Sequence, residues 1–444
     1  MTGLVSALSM FILGAIIMLV SRKVFLSYFS PMGAYGFIWA LLLGLFFLRI
    51  ISYPPLSFET KAAIFGSYFF LIIGSLMVPL ARYRVDQNAY AKDNKCFIEW
   101  QPLRRLTLFL SILSLLGAIE VFWEVYKIFG IEGMTLGESR YELMSNEINI
   151  NIVWGILFSF VFPTSVLSGV LFANGEWRYY PLYIPLFAAL IWSLAYTGRG
   201  TLLMVILSYL VGYFLIDKVL SRRRSLNPKK LLITGLAITV FFAVSSYIYN
   251  GRGGLYYATF LEEHYSNYPI NPWLFAYYRY FTGPFAALDY FINNFDGNYA
   301  WGTSILYPLF HQLENLGLTK LAFKQGINMP AVEVPIKINV FTYLRAIYTD
   351  FGLPGTLIVP LVLGFTSSSL YLNYLHSPSV SRLIVLSYFY VLFLTSPYEY
   401  MLFQPTTWFS LFITLLLIRV IERRGYVSKP IHNSSQLQYP RPIE

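Results

Sequence analysis

Long runs of apolar residues, separated by short polar segments, extend over most of the chain. About eleven of these runs have the length of about 20 residues that an α-helix needs to cross the hydrocarbon core of a bilayer. They lie at 3–20, 32–52, 62–81, 106–129, 152–173, 179–197, 200–217, 231–249, 352–373, 383–398 and 404–421. The runs are continuous rather than alternating, which excludes the strands of an outer-membrane β-barrel. The pattern therefore predicts an all-α polytopic membrane protein with about 11 (10–12) transmembrane helices.

The apolar runs divide the chain into four parts. The first eight spans occupy residues 1–249, a large outer loop occupies 250–351, three C-terminal spans occupy 352–421, and a tail follows at 422–444. A structureless loop of about 100 residues is uncommon in a compact protein, and loops of this length are commonly functional. The large loop is therefore the first place to look for a site.

Three segments of the large loop have the residue spacing of helices. They are 256–268, 272–293 and the amphipathic stretch 311–324. Tyrosine and tryptophan are frequent in this loop, as is usual where side chains lie between water and lipid. The loop is therefore predicted to form a half-buried cap of short helices over the outer end of the bundle.

The overall composition supports a membrane protein and excludes several other classes. Apolar residues make up 57% of the chain and charged residues 12%, whereas soluble domains contain about a quarter charged residues. This excludes a cytosolic enzyme, a disulfide-stapled secreted protein and a disordered scaffold. The single cysteine, Cys96, cannot form an internal disulfide, and the 4 histidines leave little for a metal site. The usual nucleotide-binding, zinc-protease, serine-hydrolase and dithiol motifs are missing from the sequence, so neither a metal nor a cofactor is expected.

The distribution of positive charge predicts the orientation in the membrane. Most of the 32 lysine and arginine residues fall in inner segments if the N-terminus is outside and the C-terminus is cytoplasmic, as the positive-inside rule requires. The first span has no basic residue before it and no small-residue cleavage site after it, so we expect it to be retained. The large loop is near neutral. The net charge of +10 therefore reflects topology, and nucleic acid is not an expected partner.

Four arginines on the predicted outer side are candidates for binding a phosphate-bearing substrate. They are Arg199 in YTGRGTLL, Arg252 in YNGRGGLYY, Arg279 in YYRYF and Arg345 in NVFTYLRAIYTDFGLPG. Charged groups near membrane depth are expensive and are functional candidates by default, and guanidinium suits bidentate capture of phosphate. Each arginine taken alone has a simpler alternative, because an arginine at a helix end also extends to lipid headgroups.

Three residues on the outer side are candidates for a general base. Glu263 and His264 lie in the sequence EEHY, where the alternative is a solvated helix face, and Glu399 lies in SPYEYM at the end of the tenth span. A carboxylate close to membrane depth needs a partner, and one of the arginines would serve. We rank Glu399 first among these candidates.

Three stretches of the chain resemble the O-antigen polymerases, the Wzy-type oligosaccharide repeat-unit polymerases of bacterial surface polysaccharide synthesis. The stretches are YTGRGTLLMVILSYL, YYRYFTGPFAALDYF and NVFTYLRAIYTDFGLPGTLIVPLVLG. The resemblance covers roughly residues 180–420. It implies a membrane core similar to the glycosyltransferases of the C superfamily and to the O-antigen ligases, with a helical cap on the outer face. One departure is that members carry a glycine eleven positions after a loop arginine, whereas Glu263 and Tyr290 stand at those positions here.

The resemblance also implies an activity. A polymerase of this family transfers the growing glycan from undecaprenyl pyrophosphate to a sugar hydroxyl of a new lipid-linked repeat unit, without a metal. It does so on the outer face of the bacterial cytoplasmic membrane, during lipopolysaccharide or related polysaccharide biosynthesis. The expected partners are undecaprenyl-pyrophosphate-linked oligosaccharide and membrane lipid, and a chain-length regulator protein is also considered.

The resemblance assigns roles to the candidate residues. Arg199, Arg252, Arg279 and, as a looser match, Arg345 would bind pyrophosphate. Tyr278 and Tyr280 would stack on sugar rings, and the base would be Glu399, Glu263 or His264.

Two other functions remain open from the sequence. An O-antigen ligase shares the fold and the donor, and it is expected to place a histidine in the large loop, where both His264 and His311 lie. A repeat-unit flippase or transporter belongs to another class, for which internal repeats and broken helices are typical. No internal repeat is visible in this sequence.

Overall fold

The helices of this protein follow its apolar runs. The computed structural model describes residues 2–82, 100–136, 152–176, 178–196, 200–220, 272–315, 317–318, 332–338, 340–398 and 405–427. The helices in these ranges are α1 Thr2–Phe25, α2 Pro31–Phe47, α3 Phe58–Arg82, α4 Trp100–Leu136, α5 Ile152–Ser159, α6 Val161–Ala173, α7 Ile184–Ala195, α8 Gly200–Leu220, α9 Pro272–Asn293, α10 Tyr307–Asn315, α11 Leu344–His376, α12 Val380–Thr395 and α13 Pro405–Val427. A 3₁₀ turn, Tyr180–Tyr183, precedes α7, and the short strands β1 Val332–Glu333 and β2 Lys337–Ile338 pair antiparallel.

The prediction of an all-α membrane protein is confirmed. Helices lie at ten of the eleven predicted spans, and the remaining span, 231–249, lies outside the described residues. Among the described helices, six are long and apolar enough to cross a membrane, and α2, α12 and the Tyr180–Ala195 segment are shorter apolar helices. In the large loop, α9 covers the predicted segment 272–293, α10 covers the start of 311–324, and 256–268 is outside the described ranges.

The α3–α11 pair makes the most extensive helix contact among the described elements, and glycine makes it possible. A Cβ atom placed on Gly74 would lie 2.0 Å from the backbone oxygen of Leu361. A Cβ atom on Gly364 would lie 2.1 Å from the backbone oxygen of Leu71. Without a strong hydrophobic force between helices in lipid, small residues that let backbones touch are a main source of association.

Glycines also allow close backbone contact between α6 and α8. A Cβ atom on Gly169 would lie 2.0 Å from the backbone oxygen of Tyr209, and one on Gly212 would lie 2.2 Å from that of Val166. In both pairs each helix contributes a glycine facing the backbone of its partner. These two crossings therefore fix the separation of four helices of the bundle.

A buried, hydrogen-bonded aromatic cluster joins α2 to the start of α11 and the end of α12. Trp39 donates from Nε1 to the Ser396 hydroxyl at 2.7 Å, and the hydroxyls of Tyr35 and Tyr343 are 3.1 Å apart. The backbone N–H of Tyr343 donates to the carbonyl of Ser396 at 2.8 Å. Since buried polar groups are costly unless paired, these bonds position the start of α11 against the end of α12.

Helix α11 is broken at Gly352, whose φ of 62° is in the left-handed region that glycine tolerates. A Cβ atom at this position would also lie 2.9 Å from the Tyr299 ring. Pro354 follows the break and falls in the first turn of the second half, where its missing N–H costs little. The break leaves a short first half, Leu344–Phe351, that is distinct from the long apolar half.

One end of the bundle gathers the segments that the sequence places on the outer side. We call it the α9 end, and it comprises residues 45–59, α9, 295–306, 341–351 and 396–398. At the opposite end, Arg104 of α4 pairs with Glu176 after α6, and Glu422 of α13 accepts from the hydroxyl of Ser381 in α12 at 2.7 Å. Helix starts and ends thus alternate between the two ends, as consecutive spans require.

Candidate functional site

Helix α9 lies against the α2–α3 connection through one buried stripe. Tyr278, Thr282, Phe285 and Asp289 are all buried, and their spacing places them on a single face of the helix. The stripe contains three hydrogen-bonding side chains, which is unusual for a face that only packs. Each of those three side chains bonds to the connection between α2 and α3.

Tyr278 holds the residues that follow α2. Its hydroxyl donates to the carbonyl of Leu45 at 2.6 Å and accepts from the N–H of Ile50 at 3.3 Å. Burial raises the pKa of Tyr278 to about 12, so the hydroxyl keeps its proton for this donation at any ordinary pH. A buried ring offers no open face to a sugar. Of the two tyrosines assigned to sugar stacking, Tyr280 is the one that is partly exposed.

Thr282 and Asp289 hold the rest of the connection. The hydroxyls of Thr282 and Tyr53 are 3.1 Å apart. Asp289 accepts from the backbone N–H of Ser57 at 2.7 Å through one oxygen, and from the amide of Asn293 at 3.1 Å through the other. Helix α9 is therefore fixed along its length to the entrance of α3.

A partly buried side of α9, which carries Tyr280 and Phe281, contacts the end of α12. The ring centroids of Tyr280 and Tyr398 are 5.6 Å apart, and those of Phe281 and Tyr398 are also 5.6 Å apart. Tyr398 is followed in the sequence by Glu399, which lies outside the described residues. The residue directly before Glu399, the first-ranked base candidate, is therefore in contact with α9.

The start of α11 meets the same end of α12 through the bond between Tyr343 and Ser396. Three segments distant in sequence thus converge: α9 with Arg279, the start of α11 with Arg345, and the end of α12. Two of the four arginines predicted to bind pyrophosphate lie on segments that both contact residues 396–398. Arg199 and Arg252 lie outside the described residues, as do Glu263 and His264.

Arg345 is partly buried among buried neighbours. The central carbon of its guanidinium group lies 4.4 Å from the centroid of the Phe341 ring, within the range of a cation–π contact. Its backbone carbonyl accepts from the Thr349 hydroxyl at 2.9 Å, inside the short first half of α11. Because the position is partly shielded from water, a charge interaction made by this guanidinium is stronger than at a fully exposed site.

The structure adds charged residues that the sequence did not single out. Glu59, at the start of α3, is exposed and accepts a hydrogen bond from the hydroxyl of Tyr348. Arg49 is exposed directly after α2, with a φ of 54°. The position of Arg49 at the end of a span is the same signal that marked Arg252. The Glu59 contact joins residues 289 positions apart and has no signal in the sequence.

Asp350 connects α11 to the segment after α9. It is fully buried, and its two carboxylate oxygens accept from the backbone N–H groups of Ser304 at 2.8 Å and Ile305 at 2.7 Å. Its carbonyl accepts from the N–H of Trp301 at 3.2 Å. Asp350 therefore organises this end of the molecule instead of facing a substrate.

We expect the Asp350→Ala variant to unfold at a lower temperature than the wild type in detergent. It leaves the N–H groups of Ser304 and Ile305 without acceptors, and an unpaired buried group costs about 1–3 kcal/mol. Asp296→Ala is a matched control, since that carboxylate also accepts two hydrogen bonds but is exposed. An equal midpoint for Asp350→Ala and Asp296→Ala, measured by scanning fluorimetry, would contradict the organising role.

Among the described residues, no three His, Cys, Asp or Glu side chains are grouped closely enough to hold a metal ion.

The chain matches no protein-family model, no curated protein and no solved structure. The described residues therefore define the class by themselves: an all-α membrane protein in which a cap helix, a broken helix and a span terminus meet at one end.

Proposed function

We propose that this protein polymerises lipid-linked oligosaccharide repeat units. It transfers the growing glycan from undecaprenyl pyrophosphate to a sugar hydroxyl of a new lipid-linked unit, on the outer face of a bacterial cytoplasmic membrane. The supporting observation is the convergence of α9, the start of α11 and the end of α12. This brings the segments that carry Arg279 and Arg345 to the residues that precede Glu399.

The chemistry of the transfer suits these residue types. The bond between sugar C1 and the pyrophosphate oxygen breaks, the acceptor hydroxyl oxygen forms a new bond to C1, and its proton passes to a base. Negative charge builds on the leaving pyrophosphate, and guanidinium groups stabilise it by bidentate, charge-assisted hydrogen bonds. The base is one of Glu399, Glu263 and His264. Glu59, held by Tyr348 at the same end, is a further candidate that the structure adds.

A strain lacking this protein provides the first test of the proposal. On a gel of surface glycan we expect the ladder of long chains to be replaced by single repeat units attached to their lipid acceptor. Long chains that accumulate without attachment would instead indicate a ligase, and repeats that accumulate on the cytoplasmic side would indicate a flippase. Either of these results would overturn the proposal.

A second test uses purified protein in lipid vesicles. Lipid-linked repeat units are supplied on the side of the vesicle that the α9 end faces. We expect longer lipid-linked chains to form without added metal or nucleotide, with release of undecaprenyl pyrophosphate. Inactive vesicles that contain folded protein in the correct orientation would contradict the proposal.

A further inference from the structure

Two aromatic side chains are exposed in the segment NNFDGNYAW, residues 293–301, which follows α9. Trp301 is 76% exposed and Tyr299 is 43% exposed. Their ring centroids are 6.3 Å apart and the rings are nearly perpendicular, at 69°. We call this pair the aromatic platform. Both rings lie in a segment between helices, where an exposed aromatic face is open to a ligand.

The backbone that carries the aromatic platform is bonded to the first half of α11, although the two rings are exposed. The backbone N–H of Trp301 donates to the carbonyl of Asp350 at 3.2 Å, and that of Ala300 donates to the carbonyl of Thr349 at 2.9 Å. A Cβ atom on Gly352 would lie 2.9 Å from the Tyr299 ring, so glycine at this position lets the ring pack against α11. A backbone that is already fixed loses little further conformational entropy when a ligand binds to its side chains.

The backbone of Trp301 is also strained. Its φ of 49° is in the left-handed region, which a bulky residue rarely adopts, and glycine stands at the next position. Strained residues persist where the surrounding structure determines them, and they concentrate at ligand sites. Here the bonds to the first half of α11 impose the conformation, and the result is an indole presented to the outside of the molecule.

Polar side chains flank the aromatic platform in the sequence. Asp296 and Asn298 are exposed beside it, and the backbone N–H and side-chain amide of Asn298 lower the pKa of the Asp296 carboxyl below its usual value. No lysine or arginine occurs between Arg279 and Lys320. The carboxylate of Asp296 would repel a ligand that carries negative charge, such as a phosphate or an anionic lipid headgroup. A fixed carboxylate beside the rings favours an uncharged, hydroxyl-rich ligand instead.

We propose that Tyr299 and Trp301 form a binding site for sugar rings of a glycan, with Asp296 and Asn298 as hydrogen-bonding partners for hydroxyl groups. The apolar face of a pyranose ring stacks on the indole while its rim of hydroxyl groups meets the carboxylate and the amide. The inference rests on the proposed function for the identity of the glycan, which is the repeat-unit oligosaccharide. The glycan site is therefore separate from the proposed pyrophosphate site, which includes Arg279 and Arg345.

The first half of α11 links this site to Arg345. Asp350, which holds the aromatic platform, and Arg345 lie on the same short helix, five positions and thus about 7.5 Å apart along its axis. A glycan on the platform is therefore held at a fixed distance from the proposed pyrophosphate site. This arrangement retains the growing chain between successive transfers.

The test measures binding of a lipid-free oligosaccharide to the full-length protein in lipid nanodiscs. The probe is a fragment of a few repeat units, prepared by partial hydrolysis of the surface polysaccharide of the source strain. Trp301→Ala and Trp301→Leu should weaken binding about tenfold, because loss of an aromatic anchor typically costs that much affinity. Trp301→Phe, which keeps an aromatic plane, should stay within about threefold of wild type. Tyr180→Ala is the matched control, since Tyr180 is 83% exposed at the opposite end.

Three results would overturn the inference. They are a wild-type protein that does not bind the oligosaccharide at millimolar concentration, a Trp301→Ala variant with unchanged affinity, and a Trp301→Leu variant that binds as well as Trp301→Phe. The last result would show that glycan binding needs apolar surface at position 301 and not an aromatic plane. The thermal midpoint of each variant shows that it is folded.

The assays separate failure of this inference from failure of the proposed function. If the wild type elongates lipid-linked repeats while Trp301→Ala binds oligosaccharide normally, only the inference is wrong. If the wild type binds oligosaccharide through Trp301 but does not elongate lipid-linked repeats, the glycan site stands and the polymerase proposal fails.

Discussion

Replacing Gly364 with leucine is expected to abolish accumulation of folded protein in the membrane. The Cβ atom alone would lie 2.1 Å from the backbone oxygen of Leu71, and a backbone atom of a packed helix cannot rotate away as a side chain can. Helices α3 and α11 would have to separate. We expect destabilisation of more than about 3 kcal/mol, the upper end of the usual range for overpacking. The yield of monodisperse protein in size-exclusion chromatography measures the effect.

Gly155→Leu is the matched control for this experiment. Gly155 lies in α5, another apolar helix, and a Cβ atom placed on it would meet nothing within 4 Å. Leucine has the higher helix propensity, so this variant should accumulate at least as well as wild type. If Gly364→Leu and Gly155→Leu gave equal yields, the close approach of α3 and α11 would be refuted.

Replacing Arg345 with alanine is expected to reduce elongation of lipid-linked repeats by about 10²–10³-fold, the cost of losing one preorganised donor to a developing charge. The guanidinium lies over the Phe341 ring in a partly shielded position, so its loss also removes a cation that water cannot replace. Arg345→Lys should recover only part of the rate, because lysine keeps the charge but lacks the planar fork for a bidentate contact. The rate of elongation is measured as the increase in product length with time in reconstituted vesicles.

Arg22→Ala provides the control for Arg345. Arg22 also places its guanidinium over an aromatic ring, with a distance of 5.0 Å to the centroid of Tyr28, but it lies at the opposite end of the bundle. Its removal should leave elongation within about twofold of wild type, as for a surface residue remote from a site. Normal elongation by Arg345→Ala at normal protein level would remove Arg345 from the proposed site.

The positions of the helices could be predicted well wherever apolar length determines them. Helix α9 has the bounds that the aromatic spacing predicts, Pro272–Asn293. The apolar run predicts a span that begins at residue 352, yet the helix begins at Leu344 and is broken at Gly352. Residues 344–351 form a separate first half, in which the side chains of Asp350 and Tyr348 bond to other segments. Hydrogen bonds between residues that are distant in the chain cannot be predicted from the local sequence.

The end of α2 shows the same limit. The apolar run was predicted to continue to residue 52, but the helix ends at Phe47 and Arg49 takes a φ of 54°. Nothing in the run FFLRII marks a turn, since every residue except the arginine is apolar. Tyr278, which bonds to both sides of this turn, lies 228 positions from Ile50.

The candidate site could be predicted in its residue types but not in its geometry. Guanidinium groups at span ends are visible in the sequence, and two of them, Arg279 and Arg345, lie on segments that meet. The assignment of Arg199, Arg252, Glu263, His264 and Glu399 remains a prediction, because these residues lie outside the described part of the chain. The hydrogen-bonding role of Tyr278 has no signal in the sequence. In the motif YYRYF nothing distinguishes the buried Tyr278 from the partly exposed Tyr280.

The crossing of α3 and α11 has a consequence for biosynthesis. Ser75 and Gly364, which meet across it, are separated by 289 residues. At ribosomal rates of about 5–20 residues per second, α3 is inserted about 15–60 s before its partner emerges. During this interval the groove around Gly74 faces lipid or an insertion factor. The N-terminal spans therefore complete their packing only after translation has reached the C-terminal ones, and truncated chains expose an unfilled helix surface to cellular quality control.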